Sequence, residues 1–498
     1  MEQEFSKAVE KFQAGQFKSA EKILLKINKR QAGIPDVLHM LAYISMETDR
    51  PKAAIKYLSQ VVKSVPHDAG LFNLLGCAYR NEGKEDDAIE AFSKAVSLAP
   101  ELVDAHFNLA NALHKIGRLE EAVVKFRQVA ELTPDNAEAH WYLGNALKRL
   151  EKLDEAVASY HKVLAIKPDF AEAHMNLGNT LTDLGRLDEA VASLNKAVAI
   201  KPDFAEAHMN LGNALTDLGR LDEAVASLNR AVAIKPDFAE THSNLAHAFL
   251  KMGRLDEALA NFRRALDIDP GLQDVRHHIS SICGETTDIA PEIYVRKIFN
   301  HYAWRFDDHL TNTLGYKIPS LMRQAVDALS DCPKKFLRVL DLGCGTGMVA
   351  ESFLDKAGNI DGVDLSPKML ERAEEKDIYA NLYLSDVLDF LEGPDLRPAG
   401  YDLIVSADTF VYIGKLEGIF AAVRRALSDG GLFVFSVELL EEGDFKLLPS
   451  GRYSQSDAYI KKLAMEFVFA ILCNDLVTVR TEGGTPLPGR IFVVRAAV

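Results

Sequence analysis

Cysteine is scarce and unpatterned in this chain. Its five residues, Cys77, Cys283, Cys332, Cys344 and Cys473, are scattered, odd in number and never spaced Cys-x-x-Cys. That argues against a disulfide framework or a cysteine zinc site and implies free thiols in a reducing cytoplasm. No apolar run reaches the roughly 20 residues that a membrane-spanning helix needs, so no membrane partner is expected. The start, Met1 followed by Glu, Gln and Glu, lacks the apolar core of a leader peptide. Basic charge is also in short supply: 57 Lys and Arg stand against 72 Asp and Glu, a net charge of −15. Nucleic-acid binding depends on Lys and Arg neutralising phosphates, so no nucleic-acid partner is expected. What is present, 48% hydrophobic and 26% charged residues over 498 positions, describes soluble globular material in two or more domains.

Proline supplies the clearest order. Pro66, Pro100, Pro134, Pro168, Pro202, Pro236 and Pro270 fall 34 residues apart, the mark of a solenoid. In the unit ending at Pro236, Ala205 to Leu215 reads as one helix, Gly219 breaks it, and Leu221 to Val232 reads as a second. Asp135/Glu138, Asp169/Glu172, Asp203/Glu206 and Asp237/Glu240 suit helix N-caps with a carboxylate reaching back in the first turn. Gly212, Ala224 and Ala231 keep paired helices close, while Leu211 and Leu228 fill the seam. The pattern resembles the tetratricopeptide repeat, plainest in Phe72, Leu75, Gly76, Tyr79, Ala88, Phe92, Ala95 and Pro100. Seven 34-residue units run from about Pro35 to Pro270, behind one degenerate unit with Ala8, Phe12, Gly15, Ala20 and Leu24. Units 168–201 and 202–235 differ only at Thr180/Ala214 and Lys196/Arg230.

Two ladders run through the array. His106, His140, His174, His208 and His242 recur at the period. Repeats stack roughly 8–10 Å apart, whereas zinc ligands must converge to near 2 Å from one ion, so the histidines read as inter-repeat packing and no metal is expected. Asn108, Asn176, Asn210 and Asn244 form one asparagine row, and Asn111, Asn145, Asn179 and Asn213 the next. They lie on the first helix of each pair, which lines the concave face of such superhelices. An amide both donates and accepts, so it suits extended peptide backbone regardless of sequence. Similar asparagine ladders in protein O-glycosyltransferases grip peptide in this way, and the resemblance implies a protein or peptide partner on the concave face.

After Pro270 the period fails. Gln273 to Ile282 reads as a closing helix, Gly284 to Asp288 as a linker, and Pro291 as the start of a helix through Tyr294, Ile298 and Phe299. The expected division is therefore 1–270 repeats, 271–290 capping helix and linker, and 291–498 a second domain. There Val339 to Leu342 is an apolar run ending in Gly343-x-Gly345-x-Gly347, with helical spacing beyond: strand, glycine turn, helix. Glycines at a strand's carboxyl end let backbone approach a ligand. Seventeen positions past Gly347 stands Asp364, where a nucleotide-binding α/β unit places the acid that holds ribose hydroxyls. Strands are expected at 337–342, 360–365, 381–385, 401–407, 431–437, 476–481 and 490–496, with helices between the first five. This is a doubly wound parallel sheet. The last two strands are separated only by Glu482 to Gly489, too short for a parallel crossover, so they must form an antiparallel hairpin at the edge. Dinucleotide dehydrogenases do not usually finish that way.

The fold expected is an all-α tetratricopeptide solenoid followed by a Rossmann-like α/β domain with that edge hairpin. Over about residues 291–498 the chain resembles class I S-adenosylmethionine-dependent methyltransferases (type 11/12-like). The resemblance implies S-adenosylmethionine as cofactor. It implies that Asp341, Gly343, Gly345 and Gly347 meet the methionine end, Asp364 the ribose, Asp386 the adenine amine and Val387 the ring. Asp408 to Tyr412 form the lip nearest the methyl group, and Leu427 to Leu432 the turn into strand five. Tyr302-x3-Phe306-Asp307-x-His309-Leu310 and Gly451 to Ser454 resemble bacterial methyltransferases fused to these repeats, where a His is expected in place of Gln455.

Methyl transfer from an activated sulfonium asks mainly for alignment and exclusion of water. Where the acceptor must lose a proton, Asp408, His301 and His309 are the candidate bases. The segment Tyr302 to His309 reads either as a lid in which Tyr302 stacks on the cofactor, or as a helix packed on the second domain, with Tyr302, Phe306 and Tyr412 in its core. No Asn/Asp-Pro-Pro-Tyr/Phe follows strand four, which counts against nucleobase or glutamine amino-group methylation. The function expected is a methyltransferase whose repeats recruit a protein or peptide. The alternative is a repeat scaffold with a vestigial or cofactor-sensing domain. A glycosyltransferase would need a larger catalytic region than the roughly 200 residues left.

Overall fold

The computed structural model describes residues 1–394, 396, 400–482 and 485–497; the side chains of His301, Thr313 and Glu482 lie outside the described set. The chain divides into two compact units, Met1–Ala214 and Leu215–Val498.

The first unit is all helix. Each 34-residue step gives a 13-residue and a 14-residue helix, as in Ala171–Asp183 and Leu187–Ile200. Gly185, at φ +72°, turns the chain between them, a conformation costly for residues with a Cβ. The glycine within each first helix has a packing cause. A Cβ on Gly76, Gly144 or Gly178 would collide with Phe92, Tyr160 or Leu194 of the partner helix. The large side chain of one helix therefore sits on the bare backbone of the other, and Ala78, Ala88 and Ala95 are fully buried around it.

Two expectations for this unit change. The acids do not cap the helices at Ala137 and Ala171, nor the one at Ala239 in the second unit. The N-cap is Asn136, which accepts from Ala139 N–H at 3.0 Å, or Phe170 and Phe238, which make no cap bond. The helix starts one residue later than the Asp-Glu spacing suggests. The histidines do more than pack. Nε2 of His106, His140 and His174 sits 2.8, 3.0 and 2.9 Å from the carbonyl of Pro100, Pro134 and Pro168. Each ring donates to the proline that closes the preceding unit.

The second unit opens with repeat helices Leu221–Ile234, Ala239–Lys251 and Leu255–Ile268, then helices Gln273–Cys283 and Glu292–Tyr302. The segment read as a linker is bonded in place: Ala290 N–H donates to Tyr412 O at 3.0 Å and Gly414 N–H to Asp288 O at 2.9 Å. His277 Nε2 donates to the Gly451 carbonyl at 2.9 Å, and Lys297 meets the buried Asp274 at 3.1 Å.

A sheet follows: β1 Phe336–Leu342, β2 Ala357–Asp364, β3 Asn381–Leu384, β4 Tyr401–Ser406, β5 Leu427–Leu440, β6 Phe445–Leu447, β7 Tyr453–Ser456, β8 Phe469–Glu482 and β9 Thr485–Ala496. The order is β3-β2-β1-β4-β5, with β9 antiparallel on β5 and β8 antiparallel on β9. Alternate residues feed opposite faces, so Val339, Leu403 and Val434 pack on one side and Leu340, Ile404 and Phe433 on the other. Both faces are covered, as a parallel sheet requires. The edge hairpin is where the sequence placed it, but its strands are longer and take in most of the loop expected at 482–489. The turn expected at Leu427 to Leu432 is already strand, with a register irregularity against β4. The short strands β6 and β7 were not foreseen.

Candidate functional site

The site forms at the carboxyl ends of β1, β2, β3 and β4. Gly343, Gly345 and Gly347 all have positive φ, at +68°, +55° and +93°. Gly343 and Cys344 N–H both donate to Val363 O at 2.9 Å, which locks the turn to β2. A Cβ on Gly343 would strike Thr409, whose hydroxyl donates to Leu342 O at 3.0 Å.

Asp364, at the end of β2, accepts from Gly345 N–H at 2.9 Å through Oδ2 and from Ser366 N–H at 2.8 Å through Oδ1. Burial pushes its carboxyl up to about 6 even against those two donors. Asp386 caps the helix Val387–Glu392, its Oδ1 accepting from Leu388 N–H at 2.8 Å, and Val387 is buried beside it.

Gly343, Gly345, Asp364, Asp386 and Val387 line one cavity of about 700 Å³, joined there by Tyr302, His309 and Asp408. Asp341 and Gly347 are not on its wall. Asp341 is fully buried beneath the turn and accepts from the Tyr379 hydroxyl at 2.8 Å. Burial, with the charge of Asp364 adding to it, holds its carboxyl at about 7.

The end of helix Glu292–Tyr302 and the segment after it strap over the turn. Asp307 accepts from the Thr346 hydroxyl and pairs with Lys376 at 3.1 Å; Asn300 Oδ1 accepts from Ser366 Oγ at 2.7 Å. Phe306 lies against Gly345, and its ring meets Phe299 and Tyr302 edge-on. The Tyr302 hydroxyl meets His309 Nδ1. Burial pushes the Tyr302 phenol up to about 12 and the His309 imidazole below its usual range. The third candidate base, His301, has its side chain outside the described residues.

Asp408 stands at the end of β4 with φ +53°, a strained setting for a residue with a Cβ. Its Oδ1 accepts from Ser436 Oγ at 3.2 Å, and Arg480 of β8 approaches Oδ2 at 3.4 Å. Arg480 also pairs with the buried Glu438, which Arg452 meets at 3.4 Å. Burial raises the Asp408 carboxyl to about 6; Arg480 opposes the rise and Glu438 adds to it. Gln455 does not line the cavity. It is fully buried, and its amide donates to Phe410 O at 2.9 Å and Ile413 O at 2.8 Å, fixing the lip.

Sequence reasoning missed Arg305, Tyr379 and Arg480. Arg480 was legible in principle, as a lone cation in the apolar run Leu476 to Thr481. Tyr379 and Arg305 lie in irregular segments that carry no period. Among the asparagines, Asn176 Nδ2 donates to Asn145 Oδ1 at 2.9 Å, and Asn108 donates to Asn73 at 3.0 Å while accepting from Arg80. Asn145 also accepts from Tyr160. Asn111, Asn179, Asn210, Asn213 and Asn244 are half-buried on the same helices. Among the described residues no group of three or more His, Cys, Asp or Glu could hold a metal, and no helix is long and apolar enough to cross a membrane.

Residues 340–433 match a family model described as a methyltransferase domain. Models of the TPR repeat match 76–117, 110–151, 144–182, 178–219 and 212–253, and tetratricopeptide repeat models match 35–67 and 239–272. A malonyl-(acyl-carrier protein) O-methyltransferase of Geobacter sulfurreducens is 38% identical over 113 residues, 22% of this chain and 41% of the relative. The aklanonic acid methyltransferase DauC of Streptomyces sp. is 28% identical over 116 residues, 22% of this chain and 53% of that one. The chain spans about two fifths of the length of the first curated relatives it matches. Among solved structures, that of YrrB, titled a TPR protein with an unusual peptide-binding site, is 27% identical with a TM-score of 0.34 and covers 38% of this chain and 97% of its own.

Proposed function

For a chain with tetratricopeptide repeats in its N-terminal part and a methyltransferase domain in its C-terminal part, we propose an S-adenosylmethionine-dependent methyltransferase whose repeats recruit the acceptor, or a partner carrying it. The observation that carries this reading is Asp364, tied to the glycine turn by Gly345 N–H and facing the same cavity as Asp386 and Asp408. The residues present fit the cofactor. A carboxylate has about four lone-pair sites, and Asp364 uses two, leaving two for vicinal hydroxyls. Asp386 turns one oxygen to its own helix and Val387 offers an apolar surface. A cavity of about 700 Å³ is within the ordinary range for a small-molecule site.

When bound, the cofactor supplies an already activated methyl group. The chain's share is then alignment, dryness and, for a protic acceptor, removal of one proton. Tyr302 and Phe306 shield the turn from water. Asp408 is the base we favour: with its carboxyl near 6 it is mostly ionised at neutral pH yet still accepts a proton, at Oδ2 against Arg480 or Oδ1 beside Ser436. His309 is the second choice, since Tyr302 occupies its Nδ1.

The domain limits we propose are 1–270, 271–290 and 291–498. We assign the asparagine rows to peptide capture, because half-buried amides keep hydrogen-bonding capacity beyond their ladder bonds. A reducing cytoplasm suits the five unpaired cysteines. Incubating the purified chain and a host extract with methyl-labelled S-adenosylmethionine tests the reading. Label should enter a fraction that the Asp364→Ala variant leaves unlabelled; cofactor binding without label transfer to any fraction would favour a scaffold that merely senses it.

A further inference from the structure

Arg305 is a cation of the cavity wall that forms no ion pair among the described residues. It ends the short helical turn Ala303–Arg305, and its side chain lines the cavity. Its Nε is buried without a hydrogen-bond partner, and no described carboxylate pairs with it. The other arginines of the cavity, Arg452 and Arg480, both meet Glu438. A buried guanidinium N–H with nothing to bond is costly, and such a group persists where a ligand completes it.

The surroundings prepare Arg305 for that ligand. Its guanidinium carbon lies 5.4 Å from the ring centres of Tyr302 and of Trp304. Aromatic faces hold a guanidinium while leaving its N–H edges for a planar acceptor. The strap that carries it is fixed: Asn300 is bonded to Ser366, and Asp307 to Thr346 of the glycine turn. Arg305 thus lies in the chain between two anchored residues. A rigid, pre-placed fork of donors matches a carboxylate.

We propose that Arg305 is a carboxylate-binding residue of this cavity, and that its ligand is the α-carboxylate at the amino-acid end of the adenosyl cofactor. The assignment rests on the proposed function. On that reading, the sheet order β3-β2-β1 lays the ligand out in sequence, adenine at Asp386, ribose at Asp364 and the amino-acid tail over the turn after β1. Phe306 lies against that turn, and Arg305, its neighbour in the chain, lines the same cavity. A carboxylate on the methyl acceptor has the same chemistry and is the other possible source.

Titration calorimetry on the full chain separates these. The ligands are S-adenosylhomocysteine, its decarboxylated analogue, and 5′-methylthioadenosine, which lacks the amino-acid tail. The wild type should bind S-adenosylhomocysteine about ten- to hundredfold tighter than the decarboxylated analogue. Arg305→Gln should erase that ratio and leave 5′-methylthioadenosine at wild-type affinity, while Arg305→Lys keeps part of the ratio. If the ratio survives in Arg305→Gln, but hexanoate binding to the S-adenosylhomocysteine-loaded protein is lost, the residue still binds carboxylate and the acceptor supplies it. Equal weakening of all three adenosyl ligands, or no change with any carboxylate, overturns the inference while the methyltransferase reading stands. A wild type that binds none of the adenosyl ligands overturns both.

Discussion

The Asp364 carboxylate accepts from the Gly345 N–H at 2.9 Å, which ties the acid at the end of β2 to the glycine turn after β1. Asp364→Ala removes a charged acceptor for two hydroxyls and one brace of the turn. Loss of charge-assisted hydrogen bonds should weaken S-adenosylhomocysteine by roughly 1.5–3 kcal/mol. The pH dependence has a definite sign. Hydroxyl donors bind the ionised carboxylate, and burial has brought that group up to about 6. Wild-type affinity should therefore fall as pH drops through 6, about tenfold between pH 7.5 and 5, and this loss should vanish in Asp364→Ala. Calorimetry at three pH values checks it.

Gly343→Ala should destabilise the second unit. The residue has φ +68°, and its new methyl would strike Thr409, which bonds the Leu342 carbonyl. Left-handed strain of about 1–2 kcal/mol adds to a lost hydrogen bond of about 1 kcal/mol. A thermal melt that resolves the two units should show only the second one shifted downward.

Gln455 is expected to be a fold residue. Gln455→Leu leaves the Phe410 and Ile413 carbonyls without their donor in a fully buried place. The cost should be about 1–3 kcal/mol, read from denaturant unfolding, with no new slope in a pH–rate profile. A changed pH profile at unchanged stability would instead give Gln455 a part in proton transfer.

The junction histidines should make stability fall in acid. His247 Nδ1 donates to Ser243 O at 2.7 Å, so its Nε2 accepts from His278 Nε2–H at 2.9 Å, a pairing that needs His247 neutral. Burial holds His247 down at about 4 and His278 well below its usual range. In the unfolded chain both protonate near 6.5, so stability is present above that pH and is lost as pH falls from 6.5 toward 4. The raised Asp341, Asp364 and Asp408 act in the opposite sense, so the comparison is with His247→Gln/His278→Gln at each pH. The double variant should lose less melting temperature than the wild type between pH 6.5 and 4.5.

Most of this architecture is legible from spacing. The 34-residue proline period gives the helix pairs, and Gly343-x-Gly345-x-Gly347 with Asp364 gives the cavity, because these features depend on local backbone geometry. What spacing does not reach are contacts between distant segments. Nothing near Tyr379 in the sequence says that its hydroxyl bonds Asp341, and nothing near Thr286 to Ile289 says that this polar stretch pairs with the lip at Ile413. The helix caps failed for a smaller reason. Asp135 and Asp169 have the right chemistry one position too early, and Asn136 and Phe170 hold the N-cap.

The asparagine rows have a direct test in partner capture. Asn176 and Asn145 bond each other, so Asn176→Ala should cost the first unit about 0.5–1.5 kcal/mol. Changing Asn176, Asn210 and Asn244 together to Ala should also abolish retention of partner proteins and leave S-adenosylhomocysteine affinity unchanged. Retention at the wild-type level would confine the asparagines to holding repeats together.

The proposed function requires the cavity beneath the strap to be an S-adenosylmethionine site. Competitive calorimetry of the full chain with S-adenosylhomocysteine and with NADH tests it most directly, with Asp364→Ala alongside. The expected result is S-adenosylhomocysteine binding that Asp364→Ala weakens at least tenfold, about 1.4 kcal/mol, and no detectable heat from NADH. Preferential binding of NADH, or S-adenosylhomocysteine binding that Asp364→Ala leaves untouched, would contradict it.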